Sequence, residues 1–115
     1  DIPEETQAAT AAGRGYAIAG GVAGAIEACM KEYYPDVPVH IEHAESLAEC
    51  KKVLTLAKAG KIKNCMIEGM ACPGGCIGGA GTNAGFAKTA KALKKYVDGS
   101  DPKIPSQELE NLELN

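Results

Sequence analysis

Val37-Pro38-Val39-His40-Ile41-Glu42, then Ser46-Leu47-Ala48-Glu49, then Lys63-Asn64-Cys65-Met66-Ile67-Glu68 are the pieces of residues 37–68 whose reading decides the fold. The first alternates apolar and polar side chains, as a half-buried strand does, with Pro38 near its beginning where a missing N–H is tolerated. In the second, Ser46 is placed to cap a helix and Glu49 to reach back to it, a capping box. Leu47, Cys50, Leu54 and Ala57 then share one helical face, and Gly60 is placed to end the helix. The third piece reads as a short second strand. Strand, helix and strand of this length make a βαβ unit, expected parallel and right-handed. The fold class expected is therefore α/β: a small βαβ-containing domain, its parallel strands flanked by about three helices.

Upstream, residues 1–15 carry no clear period, and Thr10-Ala11-Ala12-Gly13-Arg14-Gly15 reads as a helix end or a glycine-rich loop. Arg14 is either a solvated charge or a neighbour of an anionic cofactor. Tyr16–Val22 leads into a helix with Val22, Ile26, Cys29 and Tyr33 on one face, stopped by Pro35. Its Gly20-Gly21 start either lets backbone N–H groups approach an anionic cofactor or allows close packing on small residues. Downstream, Asn83 is a candidate N-cap. Phe86, Ala90, Leu93 and Val97 make the expected buried stripe of the following helix, with Lys88, Lys91, Lys94 and Lys95 mostly toward solvent. Gly99-Ser100-Asp101-Pro102 ends it. Residues 1–98 read as one unit and 99–115 as an acidic tail or short helix, with Leu109 and Leu112 spaced i, i+3.

Composition narrows the function classes. A chain of 115 residues holds one domain with a modest core, and four tyrosines, one phenylalanine and no tryptophan make that core aliphatic. A formal charge of −3 leaves no nucleic-acid footprint. No apolar run approaches the roughly 20 residues of a membrane span. Five cysteines without the spacing of a disulfide scaffold point to a reducing compartment, read as the cytoplasm. Asp1-Ile2-Pro3-Glu4-Glu5 has neither an initiating Met nor the character of a signal peptide, so the chain reads as a segment of a longer one.

The chemistry concentrates in Glu68–Gly85, which holds two of the five cysteines and seven of the fourteen glycines. Cys72 and Cys76 flank Pro73-Gly74-Gly75, a turn with little side-chain bulk that can bring two thiolates and several backbone N–H groups onto one object. Soft thiolates select zinc, copper(I) or iron–sulfur iron, and cysteine followed by proline recurs at iron–sulfur sites. The plainer alternative is a flexible glycine loop with two ordinary thiols. The loop follows the carboxyl end of the second strand, where open α/β sheets place their ligands. Cys29, Cys50 and Cys65 fall on apolar stripes or in a strand and read as small hydrophobes. His40 and His43 read as surface residues. A structural zinc half-site would need Cys65 or His43 to join the loop. A redox dithiol of the thioredoxin type would have two residues between its cysteines rather than three.

Met70-Ala71-Cys72-Pro73-Gly74-Gly75-Cys76, followed by Gly78-Gly79-Ala80-Gly81, resembles the last cysteine motif of the iron-only (di-iron) hydrogenases. The Gly-Gly-Val helix start at Gly20 is similar to that family as well, so the resemblance extends over about residues 13–97. It implies that Cys72 is a ligand of a 4Fe–4S cubane. It implies that Cys76 both ligates the cubane and bridges to a di-iron subsite, the pair forming the H-cluster, and that Met70 packs against that subsite. Gly74, Gly75, Gly78, Gly79 and Gly81 would shape the cofactor pocket. The implied activity is reversible H2 oxidation and proton reduction by the parent protein, and the isolated segment is expected inactive. The other two thiolates and the main proton relay would come from an N-terminal remainder of the catalytic domain, and electrons from ferredoxin or another carrier. An acidic ferredoxin would suit the lysine face. Gly79-Ala80-Gly81-Thr82-Asn83 departs from the family's Gly-Gly-Gly-Gln-Pro, which points to an alternative: a hydrogen- or redox-sensing homologue of low turnover.

Overall fold

The computed structural model describes residues 9–109. Its elements run α1 (Ala11–Arg14), α2 (Gly21–Tyr33), β1 (Ile41–Ala44), α3 (Leu47–Lys58), β2 (Met66–Gly69), a 3-10 turn (Cys76–Gly78), α4 (Phe86–Asp98) and α5 (Pro105–Leu109). β1 and β2 are parallel neighbours, paired Ile41 with Met66 through Ala44 with Gly69. The α/β class and the βαβ unit stand as expected, with α2, α3 and α4 as the three long helices.

The boundaries move for physical reasons. The first strand begins at Ile41 rather than Val37 and continues to Ala44. Pro38 has no N–H to give a ladder, and pairing opens only where Met66 N donates to His40 O at 2.9 Å. It closes where Met70 N donates to Ala44 O at 2.8 Å. The second strand likewise starts at Met66, not Lys63. Thr10, whose side chain accepts from Gly13 N, caps a real helical turn where the sequence left helix end or loop open. Asn83 does not cap α4; Gly85 stands at that position and, having no side chain, offers the helix no cap.

α3 lies on the sheet and caps as expected at its start, with Ser46 Oγ accepting from Glu49 N at 3.2 Å. The reach-back goes one residue further than a capping box, to Glu45 N at 2.8 Å. Its far end is a Schellman closure. Gly60 N bonds to Ala57 O, Lys61 N to Leu56 O, and Gly60 takes φ 72°. The buried position of α3 is Val53, however, while Leu47 and Leu54 of the expected stripe are 74% and 59% exposed. Leu54 is one residue, about 100°, round the helix from the face that meets the sheet. On α2 the buried residues are Ala23 and Ala25, and Ile26 and Tyr33 of the expected stripe are exposed. Phe86 of α4 is also 47% exposed.

Alternation along the strands divides the sheet into two faces. His43 and Glu68, register partners, share the side that meets α2. Ala44 and Gly69 share the side under α3, where a Cβ on Gly69 would sit 3.2 Å from Cys50 Sγ. The buried apolar residues are Ala23, Ala25, Ala44, Val53 and Ile77. The segment after α4 returns to the body, since Ala11 N donates to Pro102 O at 3.0 Å and Ser106 N to Glu32 Oε2 at 3.3 Å.

Candidate functional site

The cysteine turn hangs from the end of β2 and is held by the strand of backbone that enters α2. Within it, Gly75 N bonds to Cys72 O at 3.0 Å, Gly78 N to Gly75 O at 3.0 Å and Gly79 N to Cys76 O at 3.1 Å. Across the gap, Ala19 N donates to Gly74 O at 3.0 Å and Ile77 N to Ala17 O at 3.1 Å. Glu45 Oε2 accepts from Gly74 N at 3.1 Å. Ile77 is buried beneath the turn. The loop is irregular, as its composition suggests, but packs more closely than a free glycine loop.

Three of its glycines are needed by the protein itself. Gly75 has φ 83°, and a Cβ there would lie 2.5 Å from Ala19 N. A Cβ on Gly78 would lie 2.3 Å from Pro73 O, and one on Gly74, at φ 84°, would enter the Phe86 ring. Gly79 is tight against Cys76 O at 3.1 Å, with Cys72 Sγ at 3.7 Å. Gly81 differs, since nothing lies within 4 Å of its Cβ position.

Cys72 is half-buried and Cys76 exposed, both free thiols. Cys76 and Met70 line one cleft of about 590 Å³ with Tyr16, Ala17, Val22, Ile67, Glu68 and Gly69. Cys50 lies under Met70, its Sγ 3.9 Å from Met70 O and from Ala44 O. Among the described residues, no three His, Cys, Asp or Glu side chains are grouped for a metal ion. Two cysteine sulfurs on one turn, that of Cys76 beside a largely apolar cleft, have the donor chemistry of half the four-cysteine set of a 4Fe–4S cube. They do not by themselves make a closed zinc site. His43 is turned to Glu68, and Cys65 lies before β2.

Glu68 is the residue that sequence reasoning missed. It is 8% exposed, the one ionisable side chain buried among the described residues. Its Oε2 accepts from Gly20 N at 2.7 Å and from His43 Nδ1 at 3.2 Å, and its Oε1 from Ala23 N at 2.9 Å. The Gly20-Gly21 helix start thus receives an anion, but the anion is a protein carboxylate. A helix N-terminus favours that charge through its dipole and its unpaired N–H groups. Burial pushes the Glu68 carboxyl up. The hydrogen bonds from Ala23, His43 and Gly20 and the charge of His43 outweigh it, leaving the pKa below its ordinary value. The signal in the sequence was an acidic residue near the end of an apolar strand, with β1 and α3 between it and a glycine helix start; only the fold joins the two.

Arg14 is neither free nor beside the cysteine turn. Its guanidinium lies 4.3 Å over the Tyr96 ring, and Nη1 donates to Tyr96 O at 3.3 Å, tying α1 to α4. Lys88, Lys91, Lys94 and Lys95 are exposed as expected, with Lys94 paired to Asp98 at 2.8 Å. His40 and His43 are surface side chains, each beside a glutamate. No described helix is long and apolar enough to cross a membrane.

Among curated proteins and solved structures, nothing matches the chain. Residues 1–80 of the 115, which carry both the glycine helix start and the cysteine turn, match the family model described as iron only hydrogenase large subunit, C-terminal domain, and the chain belongs to that family.

Proposed function

We propose that Cys72 and Cys76 provide two of the four thiolates of the 4Fe–4S cubane of an H-cluster, with Cys76 also bridging to the di-iron subsite. The observation that carries this reading is that Cys76 and Met70 open into the same cleft at the carboxyl end of β2. When bound, the cluster supplies the redox chemistry by which the parent protein interconverts H2 with protons and electrons. The chain's own residues hold and enclose it. Cys72, half-buried, and Cys76, exposed in the cleft, would hold it. Met70, Val22 and Ala17 exclude water from that side. The N–H groups of Gly75, Gly78 and Gly79 are spent within the turn and that of Gly74 on the Glu45 carboxylate, so these glycines serve the cofactor by keeping the turn tight. Gly81 leaves room beside it.

The other two thiolates come from the N-terminal remainder of the catalytic domain, and electrons pass to ferredoxin or another carrier in the cytoplasm. In this reading residues 1–98 are the domain's C-terminal segment and 99–115 an acidic tail or short helix. In the full-length protein matured with its assembly partners, Cys76→Ser is expected to abolish H2 uptake and evolution and the spectroscopic signature of the cluster, whereas Cys29→Ser leaves both. Wild-type turnover in Cys76→Ser overturns the assignment.

A second reading, a hydrogen or redox sensor, draws on the Thr82-Asn83 departure. Thr82 closes the loop on itself, its Oγ1 donating to Gly79 O at 2.8 Å. Turnover far below that of ferredoxin-linked enzymes, in a protein that still holds the cluster, favours the sensor; ordinary turnover removes it.

A further inference from the structure

We infer that Glu68 is a positioning residue for the Cys72–Cys76 turn, acting through the N-terminus of α2. The contacts form a closed ring. Glu68 on β2 holds Gly20 N and Ala23 N. The residues immediately before that helix start, Ala17 and Ala19, hold Ile77 N and Gly74 O of the turn. The turn in turn continues from β2 only four residues beyond Glu68. One carboxylate therefore determines how far the 17–19 segment stands from the strand end, and with it where the turn sits against the cleft. His43 Nδ1 closes the exposed side of the carboxylate at 3.2 Å. The demand is for a charge with two acceptor oxygens. Two helix N–H groups and an imidazole converge on it, and no other described side chain reaches them. Gly20 takes φ 85°, a left-handed conformation that favours glycine, and so turns its N–H to the carboxylate.

The inference deepens the cluster-binding reading, but its test needs no cluster, so the two fail separately. In the full chain, free of iron, the measurements are the alkylation rate of each cysteine and the hydrogen exchange of the Ile77 and Ala19 N–H groups. Glu68→Ala is expected to speed Cys72 alkylation and both exchanges about tenfold or more, while Cys29 and Cys65 stay within about twofold. Glu68→Gln keeps the volume and one good acceptor and is expected to recover most of the protection. A merely structural loss would instead raise all cysteines together. Should Glu68→Ala unfold, with every cysteine reacting alike, Glu68→Gln carries the test, with Cys72 selectively faster by about threefold. Cys72, Ile77 and Ala19 unchanged in Glu68→Gln and Glu68→Ala overturn the inference. So does a rise in Glu68→Gln shared equally by Cys29 and Cys65.

Discussion

Gly75 combines φ 83° with ψ −162°, a conformation L side chains do not adopt at low cost, and its Cβ position is already occupied by the Ile18–Ala19 backbone. Gly75→Ala is expected to cost about 2–3 kcal/mol, combining backbone strain with the displaced 17–19 segment, and a lowered urea midpoint measures it. Gly81→Ala meets nothing, so it should leave the iron-free chain within about 0.5 kcal/mol of wild type. If the cofactor fills that space, the same change lowers cluster content in the matured full-length protein. Glu68 adds a pH dependence. Its folded pKa lies below the unfolded value of 4.5, so on acidification the unfolded chain takes up this proton first. The stabilisation is whole above about pH 4.5 and is lost as the pH falls through the folded value. The urea midpoint should therefore decline on the acid side, and the decline should flatten in Glu68→Gln. An equal decline in that variant would assign it to other carboxylates.

At the scale of elements, α3 is the part most fully specified by local chemistry. Ser46 satisfies Glu49 N, Glu49 satisfies Glu45 N, and Gly60 closes the far end. Ser46→Ala should cost about 1 kcal/mol, the typical worth of an N-cap, read as a fall in Tm. α2 is the opposite case. Its N-cap is a glycine without a side-chain cap, and the N–H groups of Gly20 and Ala23 at its start are satisfied from β2 by Glu68. Its N-terminal end is thus tied to the sheet rather than to its own sequence. The burial of small residues follows from the same geometry. Ala23 and Ala25 let α2 come close to its neighbours, and the bulkier Ile26 and Tyr33 fall outside the contact.

Across the whole molecule, burial is sparse. Five apolar residues form the core, while ten large apolar side chains are exposed among those described. The sheet has two strands, each of them an edge. The cysteine turn offers two thiolates, and a cube takes four. Anaerobic reconstitution of this chain alone should therefore give well under one 4Fe–4S cluster per monomer by iron analysis. A stoichiometric cluster in a monomer would show that two cysteines of this chain and other ligands suffice.

The sequence by itself determined the local features. These are the capped helix at Ser46, the stop at Gly60 and the turn between Cys72 and Cys76, each specified by residues within a few positions of one another; the parallel pair around the helix, 25 residues apart in register, followed from the strand–helix–strand order. It also carried the family, because Met70-Ala71-Cys72-Pro73-Gly74-Gly75-Cys76 is contiguous. The tertiary structure decided what depends on separation in the chain. Which helical face is covered turned on the few neighbours present, so periodicity gathered Leu47 and Leu54, and Ile26 and Tyr33, on shared faces and Phe86 in an expected buried stripe, yet all five are exposed. Which anion meets the Gly20-Gly21 helix start turned on Glu68, 48 residues from Gly20. Hydrogen bonds between distant residues leave no period in the sequence, and the ring that ties the buried carboxylate to the cysteine turn through the start of α2 is made of them.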